Sequence, residues 1–193
     1  MDKKKILVIV DMQNDFISGV LGTSEAQAIV SKVVDKIKNK AKKYDYIFVT
    51  EDLHTKFDYD FQREARHLPI YHCIKGTWGQ EIHPDIMSAL NEYGNKKICI
   101  TSKKQFELDD WMSLVENRIV LEPLTFGEDV EFEFCGLCTD ICVVSNAFAI
   151  RQAFPEAEIT IDASCCAGTT PEAHKAALMT MKSCQMNIIN EEV

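Results

Sequence analysis

"KILVIV" (5–10) is a short continuous apolar run. Such a run is the signature of a strand covered on both faces, as strands are in a parallel sheet. The next segment supplies a covering helix. Residues 24–43, "SEAQAIVSKVVDKIKNKAKK", space Ile29, Val33, Val34 and Ile37 at helical intervals, with Ser24 placed to cap the helix. The alternation then continues. "YIFVT" (46–50), "KICIT" (97–101), "VEFEFCGL" (130–137), "EITIDA" (158–163) and "MNIIN" (186–190) read as strands, with helices near 84–93, 140–154 and 171–184. This pattern predicts an α/β protein: a three-layer, Rossmann-like fold whose central, mostly parallel sheet of about six strands is flanked by helices. No repeat, low-complexity tract or linker interrupts it, and 193 residues suit one domain spanning 1–193.

In open parallel sheets ligands bind outside the carboxyl ends of the strands. The polar residues leaving those ends are therefore the informative ones. Asp11 leaves the first strand, Asp52 and His54 the second and Lys103 the third, and "CGLCTDICV" (135–143) spans the end of the fourth. A carboxylate, a metal-type donor pair, an ammonium and a thiol thus converge on one edge.

Composition narrows the partners. A net charge of −9 argues against nucleic acid or an anionic membrane, since either wants a basic face. No stretch approaches the ~20 apolar residues of a membrane span, and the apolar run near the N-terminus is shorter than a signal-peptide core. A cytoplasmic protein acting on a small molecule is expected. Most of the eight cysteines, among them Cys73, Cys99, Cys165, Cys166 and Cys184, sit in apolar or helical stretches and read as core filling.

Of the three thiols in "CGLCTDICV", Cys135 belongs to the apolar strand. Cys142 falls in the first turn of the next helix, near Thr139 or Asp140 as cap, where the backbone favours negative charge. A nucleophilic thiol needs its thiolate, hence a lowered pKa. With Asp11 as base and Lys103 as cation, acyl transfer is the matching chemistry. A redox or zinc use of Cys135 and Cys138 fits poorly, because Cys135 is in a strand and no second C-x-x-C exists.

The order "DMQNDF", "EDLH", "HCIKGTWGQE" (72–81), a lysine after the third strand, and "GLCTDICV" resembles the isochorismatase-like cysteine hydrolases, most of all their nicotinamidase branch. The resemblance runs from Ile6 to about Gln185, including "DASCCAGTTPEAHKAAL" (162–178). It implies a catalytic triad of Asp11, Lys103 and Cys142. The lysine–two residues–aromatic pattern selects Lys103, with Phe106 as the aromatic, and leaves Lys104 to solvent. The resemblance also implies a cis peptide between Leu137 and Cys138, with the amides of Cys138 and Cys142 forming an oxyanion hole. The activity implied is hydrolysis of a small amide through a thioester on Cys142: nicotinamide to nicotinate and ammonia, a step of NAD salvage. An N-carbamoyl or ureidoacrylate-like amide is the alternative, cleaved without a pyridine-binding metal. Isochorismatase activity itself does not fit, since that branch lacks the cysteine. The branch's divalent metal, zinc with iron or manganese as rivals, would be held here by Asp52, His54 and His72. Glu64 is the expected remaining ligand, with His67, Asp58 and Asp60 as competitors.

His83, before Pro84, reads as helix-entry chemistry. Phe16, Leu68 and Trp78 are the expected pocket walls; the place where several relatives carry a stacking aromatic holds Pro69 here. The charged segment 55–71 departs most from the family and is expected to form a lid or part of an interface. Relatives are usually oligomeric, so a homo-oligomer is expected.

Overall fold

The computed structural model describes residues 3–40, 43–93, 97–119 and 127–191. Among these, six strands form one sheet: β1 (Lys4–Val10), β2 (Tyr46–Asp52), β3 (Ile98–Lys103), β4 (Val130–Leu137), β5 (Glu158–Ala167) and β6 (Asn187–Ile189). Their order is β3-β2-β1-β4-β5-β6 and every pairing is parallel. The chain therefore reverses its direction of build between β1 and β4, and the crevice above that switch point is where a doubly wound sheet binds ligands. The apolar run that predicted a doubly covered strand is β1, and Ile6 to Val10 are fully buried.

Two layers of helix cover the sheet. In chain order the helices are α1 (Asn14–Ile17), α2 (Ser24–Lys40), α3 (Lys56–Phe61), α4 (Arg63–His67), α5 (Pro84–Tyr93), α6 (Trp111–Arg118), α7 (Val144–Ala153) and α8 (Pro171–Ser183). Strand alternation decides which layer each side chain meets. Phe132 of β4 packs on Phe154 just past α7, and Phe48 of β2 on Trp111 of α6. Glu133, one residue along β4, points the other way and pairs with Lys36 of α2. Lys36 also meets Asp162 of β5 at 2.5 Å, so an ion cluster lies buried beneath α2. The remaining inward face of α2 is Ala26, Ile29, Val30, Val33 and Ile37, at the i, i+3, i+4 spacing of an amphipathic helix.

The cap of α2 differs from expectation. The Thr23 hydroxyl accepts from the Ala26 amide at 3.0 Å, while Ser24 bonds to Glu25. Threonine one residue earlier satisfies an otherwise orphaned amide, so Ser24 has no capping work. The helices α3, α4 and α6 have no counterpart in the sequence periodicity. The first two are one to two turns long and largely exposed, so they carry no apolar stripe.

One glycine is demanded by the switch point. Gly136 of β4 lies beside Val10 of β1 with φ +121°, and a Cβ there would sit 2.1 Å from the Val10 carbonyl oxygen. The two strands converge just below the crevice because that position has no side chain.

Candidate active site

Four strand ends deliver the polar residues singled out from the sequence to one place. Asp11, immediately after β1, has φ +48°, a left-handed conformation that turns its side chain into the crevice. Its Oδ1 accepts from the Thr50 hydroxyl at 2.7 Å, and its Oδ2 lies 2.7 Å from the Lys103 ammonium. Lys103 also reaches the Cys142 sulfur at 3.4 Å and Asp52 Oδ1 at 3.7 Å. All of these residues are buried. Lys104 faces out and pairs with Asp58 at 3.4 Å, as strand alternation requires.

Burial dominates the electrostatics. It raises Asp11 above the ordinary carboxylate range, with Lys103 opposing and Asp52 adding to the rise. Burial alone would favour neutral Lys103, but Asp11, Cys142 and Asp52 hold it firmly protonated. The Cys142 thiol is pushed well above its usual value by burial and by Asp11, against Lys103. The expectation of a lowered thiol pKa is thus overturned: desolvation outweighs one ammonium. A raised Asp11 beside a protonated thiol suits a base that takes the proton during attack.

The turn carrying Cys142 also differs from a simple helix start. Thr139–Val143 is a π-type turn, with the Ile141 and Val143 amides both on the Cys138 carbonyl (3.1 and 3.0 Å), and α7 begins only at Val144. Neither Thr139 nor Asp140 caps it. Thr139 Oγ1 lies 2.7 Å from His174 Nδ1 on α8, and Asp140 accepts from the Thr169 amide at 2.8 Å and its hydroxyl at 2.5 Å. Asn146 donates to the Cys142 carbonyl at 2.7 Å, and the fully buried Cys135 lies in β4. The Leu137–Cys138 peptide is cis, and the Cys138 thiol, in the crevice wall, is pushed up to about 12 by burial and by nearby Asp140 and Asp11.

Beside this triad, Asp52, His54 and His72 bring one ligand atom each within 4.8 Å of one another. Asp52 Oδ2 lies 3.0 Å from His54 Nε2 and 3.3 Å from His72 Nε2. Glu64 of α4 approaches the same nitrogens, at 3.5 Å from His72 and 4.0 Å from His54. His72 Nδ1 faces the Ile70 carbonyl at 2.9 Å, an arrangement that directs Nε2 to the cluster. This is a hard-oxygen and imidazole donor set that fits a divalent transition ion. His54 and Asp52 do not cap the following helix; Thr55 does, accepting from the Asp58 amide. His83 serves the start of α5, where its Nδ1 accepts from the Asp85 amide at 3.3 Å.

A cavity of about 350 Å³ joins the two groups, walled by Phe16, Leu68, Phe106 and Ile141 and floored by Cys142, Asp52 and His72. From the segment 55–71, Glu64 and Leu68 line this cavity. Trp78 is not part of this wall: its backbone forms a tight turn whose carbonyl accepts from Asn14, and the residue is 55% exposed. Sequence reading missed Thr50, which orients Asp11, and Tyr59, fully packed and edge-on to both His54 and His72 at 5.1 and 5.2 Å. Neither lies in a motif, and both acquire their roles only through packing.

Residues 5–192 match the isochorismatase domain family. The chain belongs to that family. A nicotinamidase/pyrazinamidase of Mycobacterium tuberculosis is 26% identical over 190 residues, covering 96% of this chain and 98% of the relative. The crystal structure of a Bacillus subtilis nicotinamidase/pyrazinamidase superposes with a TM-score of 0.80 at 27% identity, covering 96% of this chain and 98% of the other. A Pyrococcus horikoshii pyrazinamidase, solved in complex with zinc, shares the fold at a TM-score of 0.74 and 24% identity over 97% and 99% of the two chains. The six parallel strands and their flanking helices are thus the isochorismatase fold, and the resemblance to the nicotinamidase branch holds along nearly the whole chain.

Proposed function

We propose that this protein is a cysteine amidohydrolase that converts nicotinamide and water to nicotinate and ammonia. The observation that carries the reading is Lys103 Nζ standing 2.7 Å from Asp11 and 3.4 Å from Cys142 at the floor of a mainly apolar cavity. Asp11 takes the thiol proton as Cys142 Sγ attacks the carboxamide carbon. Lys103 stays charged throughout and offsets the thiolate. The amides of Cys138 and Cys142 receive the oxyanion, a role usually worth about 3–4 kcal/mol per donor. Protonated Asp11 then gives its proton to the leaving nitrogen; the C–N bond breaks, ammonia departs and a thioester remains. Asp11 next removes a proton from water, which attacks the thioester, and nicotinate leaves as the thiol is restored.

The donor set of Asp52, His54, His72 and Glu64 supports a resident ion, with zinc the identity we favour. When bound there it would anchor the pyridine nitrogen, which directs the carboxamide toward Cys142. Phe16 and Leu68 would then flank the ring, with Leu68 filling by aliphatic contact the wall that an aromatic supplies in several relatives. Such an enzyme would return nicotinamide to pyridine-nucleotide salvage.

The test is ammonia release from a panel of nicotinamide, pyrazinamide, benzamide, an N-carbamoyl compound and ureidoacrylate, with metal content measured in parallel. Turnover of the two ring-nitrogen amides above benzamide supports the proposal. Preference for the ureido substrates by metal-free protein would replace it with the alternative branch. Folded Cys142→Ala protein should lose at least about a thousandfold in kcat, since the attacking atom is gone.

A further inference from the structure

Of "DMQNDF", the proposed reaction uses Asp11 as its base and Phe16 as a cavity wall. The residues between them reach a different target. The fully buried Gln13 donates through Nε2 to the Asp52 carbonyl at 2.8 Å and to the Gln80 carbonyl at 2.7 Å. Its Oε1 accepts from the Asp52 amide at 2.7 Å. One side chain therefore grips both backbone groups of one residue, which fixes the direction in which the Asp52 carboxylate leaves the chain. A primary amide can do this because it both donates and accepts; a carboxylate only accepts.

Asp15 holds the opposite arm of the cluster. Its Oδ2 accepts from the Cys73 amide at 2.8 Å, one residue after His72. Cys73 has φ +47°, a conformation few non-glycine residues adopt, so this stretch relies on its hydrogen bonds to stay in place. The fit around Asp15 is close: a Cβ on Gly79 would lie 2.0 Å from Asp15 Oδ2. Phe16 then packs its ring 5.6 Å from that of His72. The third donor is tied in from the far side, because the His54 amide donates to the Cys73 carbonyl at 3.1 Å and the Lys75 amide to the His54 carbonyl at 2.8 Å. The grips of Gln13 and Asp15 end on the backbone of Asp52, Gln80 and Cys73, not on Cys142 or Lys103.

We infer that Gln13 and Asp15 are positioning residues of the Asp52–His54–His72 metal site, setting its affinity for the ion without bonding to Cys142 or Lys103 themselves. The inference rests on the reading of that trio as a metal site. Outer partners of metal ligands typically change affinity by 10–100-fold when removed.

The experiment uses zinc as the probe, on full-length wild type, Gln13→Met, Asp15→Ala and Asp15→Asn. Zinc affinity is measured by competition with a chromophoric chelator. Iodoacetamide alkylation of Cys142, followed by peptide mass spectrometry, is measured on the metal-free proteins. Zinc binding about 10–100-fold weaker in Gln13→Met and Asp15→Ala is expected, with alkylation within about twofold of wild type. Asp15→Asn keeps an acceptor for the Cys73 amide and should stay nearer wild type. Gln13→Met, which conserves side-chain volume, keeps the question decidable should Asp15→Ala impair folding. Nicotinamide turnover of the weakened variants should recover in excess zinc. Folded Gln13→Met or Asp15→Ala protein that binds zinc as tightly as wild type overturns the inference alone, as does alkylation that falls in step with affinity. Wild-type protein that takes up no zinc overturns the metal reading and this inference with it.

Discussion

Replacing Lys103 by methionine keeps most of the side-chain volume and deletes one buried charge. Asp11 then faces Asp52, Glu51 and the Cys142 thiol without the ammonium that opposed them. Lys103 is the strongest influence lowering Asp11, so its loss raises a carboxyl that burial already holds high. At 2.7 Å the pair's Coulomb energy is about 6 kcal/mol at an effective dielectric near 20. Part of this is returned when the remaining site relaxes, and opposite charges at such range usually move a carboxyl by about 1–3 units. The acid limb of kcat/KM for nicotinamide should therefore move up by about 1–3 pH units. Below that limb the rate falls about tenfold for each unit. Stability shifts with the same group. Asp11 in the folded variant binds its proton more tightly than in the unfolded chain, so unfolding free energy declines as pH rises above about 4. The assays are kcat/KM from about pH 5 to 9 on metal-loaded protein, and urea midpoints over the same range. A uniform loss of rate with the acid limb unmoved would refute the assignment of Asp11 as the base that Lys103 tunes.

Acid should loosen the cluster under α2. Asp162 is held down to about 2, with burial opposing and Lys36, Asn190 and Ser164 favouring the carboxylate, and Glu133 is lowered in the same sense. Stability from Asp162, on the order of 1–2 kcal/mol, should be present above about pH 4 and lost toward about pH 2, read as a falling urea midpoint that flattens in Asp162→Asn. Gly136→Ala should lower the melting temperature sharply, by the equivalent of roughly 2–4 kcal/mol, because its Cβ meets the Val10 carbonyl; a melt within about 2–3 °C of wild type, the shift of 1 kcal/mol at this size, would show that β1 and β4 part easily. Tyr59→Phe removes the hydroxyl that donates to the Leu68 carbonyl at 2.5 Å and should cost about 1 kcal/mol, with KM rising more than kcat falls. An unchanged KM would mean that Leu68 holds its place in the cavity wall without Tyr59.

The doubly covered strand, the strand–helix alternation and the residues at the strand exits are all legible in the sequence. Each depends on local order: an apolar run cannot hide from its neighbours in sequence, and a residue just past a strand must lie at the sheet's edge. Asp11, Asp52, His54 and Lys103 come together because parallel pairing brings those exits side by side. The departures are of another kind. Thr23 takes the cap from Ser24, Trp78 turns outward, and the Cys142 thiol rises where a lowered pKa is expected. Each depends on which of two nearby options the packed chain satisfies.

By itself the sequence determined that this chain makes a parallel α/β sheet and which chemical groups leave its strands, because hydrophobic period and chain direction are local properties. Only the tertiary structure decided how those groups act on one another. Whether Lys103 or burial rules the Cys142 thiol, whether Glu64 comes close to the two histidines, and what Gln13 and Asp15 hold are matters of ångströms between segments far apart in the chain. Electrostatic and hydrogen-bond energies change steeply over those distances, and no spacing along a single strand encodes them.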